Sequence, residues 1–96
     1  MPDYIFFMHD DSTTDDAAWE PYLAQLQERG VFQGGSAIGD GECVRKAGAA
    51  PEPTAHIGGF VRVMARDLDH AKSLLAGNPV FEAGGTVEIR ALPQTD

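Results

Sequence analysis

The chain has 96 residues, 43% of them hydrophobic, and carries 15 acidic against 7 basic side chains for a net charge of −8. This length suffices for one core and is too short for two, so a single domain is expected over residues 1–96, with an apolar content well above that of disordered chains. The negative field repels phosphate backbones and anionic headgroups, which argues against nucleic acid and membrane surfaces as partners.

Tyr4 to Met8 is a continuous apolar run ended by His9-Asp10-Asp11, the pattern of a central strand buried on both faces. The stretch Ser12-Thr13-Thr14-Asp15-Asp16 is rich in side chains that cap free N–H groups. Beyond it Trp19, Leu23 and Leu26 recur at spacings of four and three, as on an amphipathic helix closed by Gly30. Pro21 would break the interior of that helix, so its regular part begins near Glu20 or the helix kinks there. Trp19, Tyr22 and Leu23 read as helix-to-sheet core.

Val31-Phe32-Gln33-Gly34-Gly35 is a strand weakened by glycines that mark a bulge or a close backbone approach. Glu42 to Lys46 reads as a short polar strand, and residues 47–58, with Pro51 and Pro53, as a surface loop. Phe60 to Ala65 alternates cleanly. Asp67 is a good N-cap for a second helix whose Leu68, Ala71, Leu74 and Leu75 form an apolar stripe before Gly77 stops it. A connection from Asn78-Pro79 through Gly84-Gly85 leads to a last strand, Thr86 to Leu92.

Two strand-helix-strand halves define an α+β chain of the ferredoxin-like β-α-β-β-α-β type. Both helices would cover one sheet face, carrying Val61, Val63, Val87 and Ile89. The other would carry Phe60, Arg62, Met64, Glu88 and Arg90, too apolar to stay wet and too charged for a dry core. Such a face suits a homodimer with a polar cleft between two sheets. There Arg62, Glu88 and Arg90 are the candidate ligand-binding residues, the arginines attracting anionic groups.

The candidate acid–base groups are His9 and His56, with Asp10 or Asp11 as the local acid. An imidazole titrates near about 6.5 and can take and return a proton close to neutral pH, while a carboxylate fixes its tautomer. Strand neighbours point to opposite faces, so His9 would pair with Asp11 or a distant acid more readily than with Asp10. His70 reads as a surface residue on the second helix. No cofactor or metal site is expected. Cys43 stands alone, so no internal disulfide can form, and the N-terminus lacks the pattern of a signal peptide; a cytoplasmic protein is expected.

The segment Ile57-Gly58-Gly59-Phe60-Val61-Arg62-Val63-Met64-Ala65, then Asp67-Leu68-Asp69-His70-Ala71, Ala76-Gly77-Asn78-Pro79 and Gly84-Gly85-Thr86-Val87-Glu88-Ile89-Arg90, resembles the C-terminal half of the YCII-related family, including its DGPF-type branch. Tyr4 to Met8, Trp19 and Gly30 to Gly35 match the first half more loosely. The resemblance implies a ferredoxin-like protomer that dimerises into an α+β barrel. It also implies small enzymes acting on chlorinated hydroxyquinol-type compounds through a His–Asp pair, in those few members with an assigned activity. The Asp-Gly-Pro-Phe tetrad is missing; Pro51-Glu52-Pro53-Thr54-Ala55-His56 stands before Ile57 instead. Two functional classes follow: a small enzyme binding an aromatic or anionic molecule in a dimer cleft, or a non-catalytic dimeric binding or accessory module.

Overall fold

Alternation along the first strand sets the layers. In the computed structural model, which describes residues 1–94, β1 (Asp3–His9) buries Tyr4, Phe6 and Met8 on one face while Ile5, Phe7 and His9 on the other remain partly open. The expected burial on both faces is therefore found on one face of the single chain. Successive strand side chains point to opposite sides, and the helices cover one side alone.

The chain continues through a 3₁₀ turn (Asp16–Ala18) into α1 (Trp19–Glu28), then β2 (Phe32–Ala37), β3 (Ile57–Met64), α2 (Leu68–Ser73), α3 (Pro79–Glu82) and β4 (Val87–Leu92). Asp15 caps the 3₁₀ turn by accepting from the Ala17 N–H at 3.0 Å. Pro21 falls in the first turn of α1, where a missing N–H leaves no gap in the helical ladder. Gly30, at φ 71°, supplies the left-handed residue that ends the helix.

The sheet runs β2-β3-β1-β4 with every neighbouring pair antiparallel. β1 and β2 are thus parallel with β3 between them, and β3 and β4 are parallel with β1 between them. This is the ferredoxin-like arrangement. Tyr22 and Leu26 from α1 and Ala71, Leu74 and Leu75 from the second helical region close over Tyr4, Phe6, Val61 and Val63. Phe6, Leu26 and Val63 are almost wholly buried, each contributing about 1.5–3 kcal/mol by leaving water. Val87 and Ile89 pack against the same core, as the alternation of the last strand requires.

Several elements differ from the sequence reading. Glu42 to Lys46 forms no strand: these residues are exposed, with Val44 81% accessible, and no neighbouring backbone offers them a ladder. β2 is displaced toward Ala37 and β3 begins at Ile57, so the irregular connection runs over residues 38–56. Leu68, expected in the buried stripe, is 47% exposed at the first turn of α2, while Ala71, Leu74 and Leu75 are buried. The Asn78-Pro79 connection contains α3. Asn78, fully buried, caps it by accepting from the Val80 and Phe81 N–H groups.

The glycines of β2 act as expected. The β2–β3 register shifts between Phe32 and Gly34, with Gly34 at φ 119°. At Gly35 a Cβ would lie 2.6 Å from the Phe60 carbonyl oxygen, so the two backbones approach as closely as they do because no side chain intervenes.

Candidate functional site at the end of the central strand

The candidate residues meet where β1 leaves the sheet. The β1–β3 register slips there: Met8 faces Gly59, and His9 faces Ile57, leaving Gly58 as an extra residue. The strand exit is held by backbone bonds from the His9 N–H to Thr86 O at 2.9 Å and from the Asp10 N–H to His56 O at 2.7 Å. On the β4 side, Phe7 faces Glu88, so Glu88 lies beside His9 on the open sheet face.

His9 Nε2 stands 2.9 Å from Glu88 Oε1, and Arg90 Nη1 donates to Glu88 Oε2 at 3.2 Å. The hydrogen bond from His9, followed by that from Arg90, holds the Glu88 carboxyl below its ordinary range. An ionised carboxylate accepts and cannot donate, so the proton between the two groups belongs to Nε2. In the neutral imidazole Nδ1 is then the basic nitrogen. The His56 ring packs edge-on to His9 with centroids 4.9 Å apart.

Of the two partners expected for His9, a local Asp11 or a distant acid, the distant one is found, 79 residues away. Asp11 turns to β4 instead, where its carboxylate accepts from the Thr86 N–H at 2.8 Å and the Thr86 hydroxyl at 2.6 Å. The hydroxyl bond and then the backbone bond keep its carboxyl below the usual range. Asp11 thereby ties the exit of β1 to the entry of β4 and fixes the offset that sets Glu88 beside His9.

Arg62 and Arg90 occupy the same row, each opposite Ile5 from its own side. Arg90 is paired through Glu88, whereas Arg62 is exposed and is not joined to Glu88. Both oxygens of Glu88 are engaged, one by His9 and the other by Arg90. His70 lies away from this group on α2, its Nδ1 accepting from the Arg66 N–H. Cys43 is exposed on the 38–56 connection. Among the described residues no group of three or more His, Cys, Asp or Glu side chains converges in a metal-binding cluster, and no helix is long and apolar enough to cross a membrane.

A second feature lies on the helix side of the same strand end. Trp19 and Leu23 of α1, Met8, Val61 and Val80, the 12–16 segment and the glycine-rich ends of β2 and β3 enclose a cleft of about 440 Å³, which His9 and Asp10 also line. Trp19 and Leu23 pack against the core as expected, and they also border this opening, which the sequence pattern does not reveal. Its signal lies instead in the glycine content of the two strands that border it, Gly58 and Gly59 on β3 and Gly35 on β2: strands short of side chains leave space beneath a helix.

The fold is a ferredoxin-like α+β domain with a histidine–carboxylate pair, His9 and Glu88, at a strand end. The YCII-related domain profile matches residues 6–94, and the chain belongs to that family. No curated protein matches it in sequence. Among solved structures it is similar to 5-chloro-2-hydroxyhydroquinone dehydrochlorinase (TftG) from Burkholderia phenoliruptrix AC1100, in complex with 2,5-dihydroxybenzoquinone. The identity is 16% and the TM-score 0.54, over 99% of this chain and 96% of that one. At that identity the likeness establishes the fold.

Proposed function

We propose that this protein is a small enzyme in which His9, oriented by Glu88, takes and returns a proton on a ring compound bound at the open sheet face. The observation that carries this reading is the 2.9 Å contact of His9 Nε2 with a carboxylate whose other oxygen is held by Arg90. Such a chain fixes the tautomer and steadies the imidazolium that forms when Nδ1 accepts a proton. Family membership and the quinone bound by the similar dehydrochlorinase make hydroxylated quinones the first compounds to test; fold likeness by itself transfers no activity.

A second copy of the chain covers this face in the proposed assembly. Ile5, Phe7, Phe60, Met64 and Leu92 are partly buried there without a helix above them, beside Arg62 and Arg90. Pairing two such faces removes apolar area from water and encloses the dyad between sheets, where the arginines would meet anionic oxygens of the ligand. The cytoplasm, where the exposed Cys43 stays reduced, is the proposed compartment.

The test is thermal unfolding of wild type and His9→Ala with phenolic, quinone-like and carboxylate compounds. A ligand at one hundred times its dissociation constant adds about 2.7 kcal/mol to the folded state. The reading predicts that a hydroxylated quinone shifts the wild-type midpoint and not that of the variant, and that wild type consumes the compound. If no compound shifts either protein, the face serves assembly alone, and Arg62→Ala should then disrupt dimers without touching any ligand response.

A further inference from the structure

The residues that follow His9 are held from both sides, and the two neighbours of the His9 ring come from the segments that hold them. Toward β3, the Asp10 N–H donates to His56 O at 2.7 Å, and the His56 ring stands edge-on to His9. Toward β4, the Asp11 carboxylate accepts from the Thr86 N–H at 2.8 Å and from the Thr86 hydroxyl at 2.6 Å. Thr86 O in turn accepts from the His9 N–H at 2.9 Å. All three polar groups of Thr86 are thus bonded to residues 9 and 11.

The geometry of the His9–Glu88 pair makes this hold consequential. Regular β1–β4 pairing ends at Met8 and Val87, and the same register carried one step further sets His9 opposite Thr86. Glu88, two residues along β4 and on the same side as Thr86, is then the diagonal neighbour of His9. Diagonal neighbours stand about 7–8 Å apart, so a small slip at this strand end would open the 2.9 Å contact between the side chains.

Two glycines make room for the segment. A Cβ on Gly58 of β3 would fall on the Asp10 carboxyl group, and one on Gly85, just before β4, would fall on the Ser12 hydroxyl. Residues 10–12 therefore lie wedged between β3 and the entry to β4. Ser12 Oγ is buried against Gly85 with no hydrogen-bond partner, so packing holds that residue, while Asp11 supplies the bonds.

We infer that residues 10–12 form a two-sided clamp, and that Asp11 and Thr86 are positioning residues for His9: by fixing the entry of β4 they keep Glu88 on Nε2 and leave Nδ1 to take the proton. The inference rests on the function proposed above and adds to it two residues that act through Glu88.

The test reads the Glu88 carboxyl by carbon-13 NMR in the free protein, where the bond from His9 is the main cause holding it below 4.5. Thr86→Val keeps the branched shape and the N–H and removes the hydroxyl; Asp11→Ala removes both bonds. Glu88 should rise toward 4.5 in each, by at least half of the interval in Asp11→Ala, and return to its wild-type value in Thr86→Ser. Charge alone gives the opposite sign, because removing a neighbouring carboxylate lowers a carboxyl pKa. Asp10→Asn, which removes as much charge and keeps the Asp11–Thr86 bonds, should leave Glu88 where it is or slightly lower.

Turnover gives a second readout. Thr86→Val should lower kcat for a hydroxylated quinone by roughly tenfold with KM within about threefold, and Thr86→Ser should restore it. The Glu88 titration requires no ligand, so a protein that turns over no quinone would end the function proposed above and leave the clamp to be decided on its own measurement. Glu88 unmoved or lowered in folded Asp11→Ala and Thr86→Val, or Thr86→Ser behaving like Thr86→Val, would overturn the inference.

Discussion

Tyr22 offers the sharpest test of how α1 is held on the sheet. It is 2% exposed, and its hydroxyl donates to the Leu74 carbonyl at 2.9 Å, joining α1 to the end of α2. Tyr22→Phe keeps the ring and its packing and leaves that carbonyl without its donor. The expected loss is about 1–3 kcal/mol, and each kcal/mol lowers the unfolding midpoint of a domain this size by about 4–8 °C. Burial pushes the Tyr22 phenol up from 10.0 to about 12. A raised folded-state value means that the group's contribution is complete below pH 10.0 and is lost as pH rises through about 12. The gap between wild type and variant should therefore narrow in strong alkali. Urea unfolding at neutral pH and across the alkaline range measures both effects. A neutral-pH loss below about 0.5 kcal/mol, or a gap that widens in alkali, would refute the reasoning.

The remaining predictions concern the dyad and the sheet. In His9→Ala the Glu88 carboxyl loses its principal donor and should titrate closer to its ordinary value of 4.5, as seen by carboxyl-carbon NMR. Because the native value is lowered, the stabilisation is present above pH 4.5 and is lost as pH falls through the folded-state value; the stability difference between the two proteins should close in acid. Gly35→Ala drives a Cβ into the Phe60 carbonyl, a backbone atom that cannot swing aside, and should cost about 1–3 kcal/mol in denaturant unfolding. Gly39→Ala, which meets open space, should change stability by less than about 1 kcal/mol, with the sign on the stabilising side.

Most of the fold was legible because the strands alternate. Val61 and Val63 against Arg62, and Val87 and Ile89 against Glu88 and Arg90, divide the sheet into the two faces that the structure has. The polar strand expected at Glu42 to Lys46 failed for a tertiary reason: β3 pairs with β1 and β2, and this exposed segment has no face packed on the core to hold it to the outer edge of β2. α3 was missed because its four residues are too short to show a period. Asn78 followed by proline was its signal, a cap directly before a first-turn proline.

At the site, the types of residue were readable and their partners were not. His9 and Glu88 meet only through the β1–β4 register, a long-range relation that no spacing along the chain encodes. The alternation did put Glu88 on the open face, and adjacency of the first and last strands in this topology would have brought it near His9. Asp11 looked like the nearer partner, yet Thr86 offers it two donors from β4. The cleft stayed hidden because it is formed by what the glycines omit.

The most direct measurement is histidine NMR. The chain has three histidines, His9, His56 and His70, whose ring resonances can be assigned by single substitution. Titration with 2,5-dihydroxybenzoquinone should move the His9 and His56 resonances together and leave His70, bonded to the Arg66 backbone on α2, in place; the response should vanish in His9→Ala. Binding that leaves His9 unmoved, or that persists undiminished in His9→Ala, would contradict a working site at the end of the central strand.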